Sequence, residues 1–152
     1  CKDGEQGMPG FNGEYSHSMD IKGRVIIPVK YREGLGEQFI LTKGLDKCLV
    51  LYPLEDWSEL ERKLEKLSIA DYNSRFYRRF FSAGATTCEL DKQGRILVPQ
   101  NLREYAGLDK DLTIIGAINT VEIWDTVAYN EFMEKNLGNM ENIAVQMAEM
   151  GF

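Results

Sequence analysis

DIKGRVIIP, at residues 20–28, decides the fold because it recurs 71 positions later as DKQGRILVP, at residues 91–99. The same spacing relates further pairs of identical residues: Gly13 and Gly84, Arg32 and Arg103, Glu33 and Glu104, and Gly36 and Gly107. So many identities in one register indicate an internal duplication.

Each copy has the composition of a β-hairpin with a cation near its tip. Asp20 and Asp91 can accept hydrogen bonds from the amides of a turn, and Gly23 and Gly94 tolerate the positive φ of a tight hairpin. An arginine then opens an apolar or β-branched run typical of a strand, and a proline stops that strand or starts a short helix. We therefore predict that the two aspartates and two glycines support the turns.

The arginines that open these strands, Arg24 and Arg95, allow two interpretations. Each can form an ion pair with its turn aspartate or with a carboxylate of the tail, a surface contact worth up to about 1 kcal/mol. Alternatively, a rigid hairpin presents the guanidinium group to phosphates or guanine edges. Lys22 and Lys92 flank the tips at different offsets, as phosphate-contacting residues can. These four cations are the candidate DNA-binding residues.

The hydrophobic pattern around each copy predicts an α+β fold built from two β-β-α-β-β units. In the first unit, strands are expected at 14–19, 24–27, 38–42 and 48–52, with a short helix at 28–33. In the second unit, strands are expected at 85–90, 95–98, 112–116 and 121–124, with a helix at 99–107. We expect the two halves to interlock in one barrel-like β core.

The chain is divided into four segments. Residues 1–12 are rich in glycine and begin with Cys, so we expect a flexible leader or a remnant of processing or expression. Residues 13–70 are assigned to the first repeat with its following helix, and residues 71–125 to the second repeat. Residues 126–152 are predicted to form an acidic helical tail with a Met-rich stripe, broken into two helices at Gly138-Asn139.

Length and charge limit the class of function. The 152 residues favour a single compact domain, and no apolar run approaches the roughly 20 residues that cross a bilayer. Three cysteines without close spacing favour a reducing cytosol. The net charge of −6 argues against indiscriminate binding to nucleic acid, but residues 122–152 hold six Asp or Glu against one Lys. We therefore expect a polyanion to bind the mildly basic repeats and not the tail.

Two helical segments carry much apolar surface. Leucines and Trp57 recur at spacings of three and four between Leu54 and Leu67. Residues 71–81 interleave five aromatic residues with three arginines, which either stack on bases or pack in a core with the arginines exposed. The helical spacing favours packing. Together the two segments exceed what a small monomer should expose, which predicts self-association.

Catalytic chemistry has little support. His17 is the only histidine and is interpreted as structural; its counterpart in the second repeat, Cys88, suggests a Cys–His pair that lacks a third group. Glu33 and Glu104 are duplicated carboxylates, but a glycine follows each, which favours capping or pairing with the neighbouring arginine. No glycine-rich phosphate-binding motif is present. We expect no enzymatic activity, no metal or other cofactor, and no small-molecule ligand.

The duplicated Asp-x-x-Gly-Arg turn resembles the signature of the MraZ family of bacterial transcriptional regulators. Three other segments share the likeness: LYPLEDW at 51–57, FFSAGA at 80–85 and VEIW at 121–124. The likeness covers nearly everything from Gly13 to about Trp124.

This resemblance implies a fold similar to the AbrB/SpoVT swapped-hairpin proteins, with two such units fused in one chain. It also implies a ring-like homo-oligomer that binds double-stranded DNA at short direct repeats near the promoter of the division and cell-wall gene cluster, in the cytoplasm and at the nucleoid. The family's DNA-binding arginine falls on Arg24, with Arg95 as its internal copy. The alternative is a non-catalytic protein-interaction or antitoxin-like module of the same fold.

Overall fold

The computed structural model describes residues 9–152, which form eight strands and six helices. The strands are β1 (Glu14–Ser18), β2 (Arg24–Ile26), β3 (Phe39–Lys43), β4 (Leu49–Pro53), β5 (Thr86–Cys88), β6 (Arg95–Leu97), β7 (Asp111–Gly116) and β8 (Val121–Asp125). The helices are α1 (Val29–Leu35), α2 (Leu54–Glu65), α3 (Tyr72–Gly84), α4 (Gln100–Ala106), α5 (Thr126–Leu137) and α6 (Met140–Glu149). None of these helices is long and apolar enough to cross a bilayer.

The two repeats share the element order β-β-α-β-β, which confirms the α+β class. Their short helices have matching ends. Pro28 and Pro99 precede α1 and α4, where a fixed φ favours the first helical turn. Both helices stop at a glycine with positive φ, 85° at Gly36 and 62° at Gly107.

Strands of the two repeats exchange partners. A six-stranded antiparallel sheet has the order β1-β7-β8-β4-β3-β5, so the first strand of each repeat pairs with the other repeat. The remaining strands, β2 and β6, form a separate two-stranded ribbon. Among the described residues, a single isolated bridge, from Met19 just after β1 to Val25 of β2, joins these strands across their turn. The first hairpin predicted in each repeat therefore has its tight turn, but its two strands pair mainly with strands of the other repeat.

A single core lies between the ribbon and one face of the six-stranded sheet, called here the inner face. Its fully buried side chains come from both repeats and include Tyr31, Phe39, Leu41, Ile96, Leu102 and Ile114. Burying a side chain of this size contributes about 1.5–3 kcal/mol. Because strands and core are shared, the halves interlock as predicted.

Phe11 corrects the prediction of a flexible leader over residues 1–12. Its ring is buried in the shared core and packs edge-to-face against Tyr31. Its backbone exchanges two hydrogen bonds with Ile118, at 2.8 and 2.9 Å. Phe11 is therefore part of the fold. Residues 1–8 lie outside the described residues.

Helices α2, α3 and α5 cover the opposite, outer face of the sheet. Two clusters form there: Ile40, Trp57, Leu64 and Phe81 in one, and Cys48, Val50, Trp124 and Tyr129 in the other. The α2 stripe therefore packs mainly on its own sheet and is not the exposed surface that the pattern predicted. In α3 the predicted packing holds for Phe80 and Phe81, whereas Tyr72 and Phe76 are 70% and 56% exposed.

The tail consists of two helices with different roles. Asp125 caps α5 by accepting a hydrogen bond from the Ala128 N–H at 3.2 Å, and the Tyr129 ring is buried against the sheet. The predicted break at Gly138-Asn139 is confirmed, since α6 begins at Met140. None of the side chains of α6 is buried.

Removing α6 is expected to leave the fold intact. A chain that ends at Gly138 loses no buried side chain, so its free energy of unfolding should change by less than about 0.5 kcal/mol. A chain that ends at Asp125 also loses Tyr129 and the contacts of Phe132, and should be destabilised by about 3–5 kcal/mol. Thermal denaturation followed by circular dichroism distinguishes the two. Equal losses in both chains would show that α6 is part of the folded core.

Candidate nucleic-acid interface

The turn between β1 and β2 is organised by Asp20. Its Oδ1 accepts hydrogen bonds from the backbone N–H groups of Lys22 at 3.0 Å and Arg24 at 2.8 Å. The Gly23 N–H donates to the Asp20 carbonyl oxygen at 3.0 Å, with a Gly23 φ of 86° that other residues rarely adopt. Arg24 Nε donates to Asp20 Oδ2 at 2.6 Å. One carboxylate thus holds both the turn and the arginine side chain.

The turn between β5 and β6 repeats this geometry. Asp91 Oδ1 accepts from the backbone N–H groups of Gln93 at 2.8 Å and Arg95 at 2.9 Å, and Arg95 Nε donates to Asp91 Oδ2 at 2.8 Å. Arg95 also reaches the first repeat, where its Nη1 lies 3.9 Å from Asp20 Oδ2. The two arginines therefore lie close together, with Asp20 near both.

The ribbon of β2 and β6 places these arginines on one surface. In its antiparallel register Arg24 faces Leu97, Val25 faces Ile96, and Ile26 faces Arg95. Val25 and Ile96 point into the core, so the alternating neighbours lie on the outer surface of the ribbon. This outer surface carries the two arginines on one diagonal and two apolar side chains, Ile26 and Leu97, on the other. Strand alternation around Val25 and Ile96 would have identified these two apolar residues.

Arg103 of the second repeat supports the turn of the first. Its Nη1 donates to the carbonyl oxygens of Val98 at 2.9 Å and Lys22 at 3.4 Å. The guanidinium lies so close to Gly23 that a Cβ at that position would overlap it. The Val98 N–H also donates to the Gly23 carbonyl oxygen at 2.9 Å. Glycine is therefore required here by its neighbour as well as by its φ.

Arg32 of the first repeat lies against the turn of the second. Its Nε donates to the Ile27 carbonyl oxygen at 2.9 Å, and its guanidinium occupies the space where a Cβ at Gly94 would lie. The predicted pairing of Glu33 and Glu104 with the adjacent arginines is wrong, because the arginines bind backbone carbonyls instead: Arg32 binds that of Ile27, and Arg103 binds those of Val98 and, across the repeats, Lys22. In the sequence, the 71-residue spacing between Arg32 and Arg103 was the signal that these two arginines have equivalent positions.

The tips of the turns add further cations. Lys22 and Lys92 are exposed, and among the described residues their side chains form no ion pair or hydrogen bond. The ribbon and its tips carry two arginines and two lysines but two aspartates, so their net charge is positive. Ile21 lies at the first tip and is 98% exposed. It was not predicted, since a single turn residue has no periodicity.

The two turn aspartates have pKa values below that of an ordinary aspartate. The backbone N–H of Arg24, and then its side chain, hold the pKa of Asp20 below its ordinary value of 3.8. The N–H and side chain of Arg95 lower the pKa of Asp91 in the same way. Each carboxylate is therefore stabilised in its charged form by the turn that it organises.

These lowered pKa values predict acid-sensitive turns. A depressed pKa in the folded state contributes stability above the unfolded pKa, and this contribution disappears as the pH falls through the folded value. The melting temperature should therefore fall as the pH drops below the ordinary aspartate pKa of 3.8, and less so in an Asp20→Asn, Asp91→Asn variant. Asp46→Asn, at an exposed aspartate outside both turns, is the matched control. An unchanged acid profile in the double variant would contradict this role.

The other candidate groups do not form a reactive site. His17 in β1 and Cys88 in β5 lie at opposite edges of the six-stranded sheet, so the suggested Cys–His pair is wrong. Burial raises the pKa of Cys88 to about 11 and that of Cys48 to about 12, which keeps both thiols protonated at neutral pH. Within residues 9–152, no three His, Cys, Asp or Glu side chains group as metal ligands.

The fold and this surface define a class of protein: a fused pair of β-β-α-β-β repeats that share one core and present a cationic two-stranded ribbon. The family described as "MraZ protein, putative antitoxin-like" matches the chain twice, over residues 11–80 and 81–149. The chain belongs to the MraZ family. The second match extends through α5 and α6, beyond Trp124, where the quoted motifs end.

Curated relatives agree with this assignment. The chain is 58% identical to a transcriptional regulator MraZ of Acetivibrio thermocellus, 51% to that of Clostridium acetobutylicum and 50% to that of Halothermothrix orenii. Each alignment covers 93% of this chain and 99% of the relative. The similarity therefore spans both repeats and nearly the full length of these regulators.

Proposed function

We propose that the protein is a transcriptional regulator, without catalytic activity, that binds duplex DNA through the β2–β6 ribbon. The observation that carries this proposal is the pair of partly exposed arginines, Arg24 and Arg95, held on one diagonal of the ribbon's outer surface between two lysine-bearing tips. The naming of the relatives as transcriptional regulators supports the same function.

The ribbon has suitable dimensions and chemistry for the major groove. That groove is about 12 Å wide and admits a two-stranded β-ribbon. Because Nε of each arginine binds an aspartate, the side chain is ordered before DNA arrives. Both terminal nitrogens of Arg24 remain to form a fork, whereas Arg95 Nη1 also lies 3.9 Å from Asp20 Oδ2. Such a fork matches O6 and N7 of guanine, while Lys22 and Lys92 suit the flanking phosphates. The proposed DNA-binding set is therefore these four residues.

Several copies would be needed for tight binding. The two aspartates offset half of the positive charge of the two arginines and two lysines. One chain can therefore neutralise few phosphates and should bind DNA weakly. A homo-oligomer of the AbrB-like type, ring-shaped in our proposal, would place several ribbons on successive direct repeats, and linked sites gain affinity without new contacts. The proposed target is promoter DNA of the division and cell-wall gene cluster, in the cytoplasm at the nucleoid.

A mobility-shift assay across salt concentrations tests the proposal. Specific binding to promoter DNA with direct repeats should weaken steeply, with log K falling against log salt by about 0.9 for each phosphate neutralised. DNA of scrambled sequence and equal length is the control. Binding that is absent at low salt, or equal for both DNAs, would reject sequence-specific regulation.

An antitoxin-like interaction module is the second candidate. The family description carries the word antitoxin-like, and α6 offers an unburied helix for a partner. An apolar interface of that kind would respond little to salt, in contrast to binding through arginines. Protein partner binding that persists at high salt, without DNA binding at low salt, would favour this candidate.

A further inference from the structure

Helix α6 lacks a surface to pack on within its own chain. Met140, Ile143 and Met147 recur at spacings of three and four and form one apolar stripe, yet none of them is buried. An isolated helix of 10 residues is marginal in water, since helices shorter than about 12–15 residues need tertiary contacts. Glu141 and Glu149 make the same helix acidic. It is therefore suited to an apolar surface that also carries positive charge.

Helix α3 presents such a surface on the outer side of the sheet. Phe81 and Gly84 face the protein, whereas Tyr72 and Phe76 project as an exposed apolar ridge. Their spacing of four continues to Phe80, whose ring lies 6.4 Å from that of Phe76. The ridge therefore extends from solvent to the edge of the folded core.

Three arginines lie beside this ridge without acidic partners. Arg75, Arg78 and Arg79 line a shallow cleft of about 390 Å³. Arg75 donates to the Ile69 carbonyl oxygen at 3.1 Å and lies over the Tyr72 ring, 5.6 Å from its centre. No carboxylate of the described residues lies within ion-pair distance of any of the three. The face thus combines exposed aromatic rings with uncompensated positive charge.

We propose that α6 of one copy packs on α3 of a second copy, with its methionine stripe over the aromatic ridge and its glutamates beside the arginines. This contact is a specific interface for the self-association proposed above, on which it depends. Methionine adapts well to aromatic surfaces, and the opposite charges fix the orientation. Because the two surfaces differ, the contact can repeat head-to-tail from copy to copy and close into a ring.

The location of α3 argues against DNA as the occupant. On β3, Ile40 packs towards α3 on the outer face. Its neighbours Phe39 and Leu41 point into the inner core, and Val25 and Ile96 of the ribbon cover the other side of that core. The arginines of α3 and the DNA-binding ribbon therefore lie on opposite sides of the six-stranded sheet. A straight duplex on the ribbon would not contact this cluster.

A charge-swap experiment tests the contact. One variant carries Arg75→Glu and Arg79→Glu, and the other carries Glu141→Lys and Glu149→Lys. Each variant alone should need about tenfold or more higher concentration to assemble, because like charges then face each other. An equal mixture should regain the assembly of the unchanged protein, since each α3 meets an oppositely charged α6. Sedimentation and light scattering without DNA report the mass relative to the 17.4 kDa chain.

Controls separate this inference from folding and from the proposed function. Arg62→Glu with Lys66→Glu, which removes two exposed cations from α2 and its end, should assemble normally. The chain that ends at Gly138 should stay folded but assemble as poorly as the swapped variants. If the unchanged protein is monomeric at all concentrations, self-association itself fails.

Three results would overturn the α3–α6 contact alone. One is assembly that survives both charge swaps and the loss of α6. Another is a mixture of swapped variants that does not recover. The third is an Arg75→Glu, Arg79→Glu variant that assembles normally but loses affinity for DNA, which would make the cluster a nucleic-acid contact instead.

Discussion

Arg24→Ala is expected to abolish specific binding to promoter DNA while the melting temperature stays within a few degrees. The guanidinium is partly exposed, and its ion pair with Asp20 contributes up to about 1 kcal/mol, or about 2–4 °C for a chain of this size. A bidentate contact between arginine and guanine, in contrast, is worth about 1–3 kcal/mol of discrimination. An oligomer loses that contact once per subunit.

Three other variants locate the effect. Arg24→Lys keeps the charge but not the fork, so it should retain non-specific binding and lose specificity. Arg95→Ala should have an equal or smaller effect, because the two repeats need not contact DNA equally. Arg62→Ala, at an exposed arginine of α2, should bind normally. Fluorescence anisotropy at fixed salt measures all four, and an Arg24→Ala protein with unchanged affinity would leave Arg24 only its role in the turn.

Gly23→Ala is expected to destabilise the fold by about 2–4 kcal/mol, the sum of backbone strain and overpacking. Positive φ alone costs a non-glycine residue about 1–2 kcal/mol. The added Cβ also overlaps the Arg103 guanidinium and lies 3.2 Å from the Val98 carbonyl oxygen. Gly107→Ala isolates the backbone cost, since Gly107 has a φ of 62° and no atom within 4 Å of its Cβ position.

A double-mutant cycle separates the two costs at Gly23. If the guanidinium is the obstacle, Arg103→Ala should reduce the penalty of Gly23→Ala to nearly that of Gly107→Ala. Arg103→Ala alone should destabilise, because the Val98 carbonyl loses its hydrogen bond from Arg103. Urea denaturation measures each free energy of unfolding. Additive effects would show that Arg103 moves aside easily and does not support the turn.

Local features of the fold could be predicted from sequence because their causes lie within a few residues. Aspartate and glycine at fixed offsets indicate the turns, and prolines and glycines mark the ends of α1 and α4. Apolar runs on either side of a turn predicted the β3–β4 and β7–β8 hairpins. The positions of Arg24 and Arg95 at the start of their strands followed from the same pattern.

Partners across the repeats could not be predicted in this way. Periodicity identifies which side of a strand is buried but not which strand lies beside it, so the pairing of β1 with β7 and β2 with β6 was not predicted. The support of each turn by the opposite repeat depends on that pairing. Similarly, helical spacing in α3 could not show that Tyr72 and Phe76 stay exposed and do not pack on the sheet.

The ribbon also has a consequence for the orientation of the protein on DNA. Two identical strands would have an exact dyad and would read a palindrome equally from either end. Here the dyad is only approximate, because one tip carries Ile21 and Lys22 where the other carries Lys92 and Gln93. Bound to DNA as proposed, such a ribbon would distinguish the two directions of a site. Successive copies that bind in one direction would then require target sequences that run head to tail, a polarity that duplication within one chain makes possible.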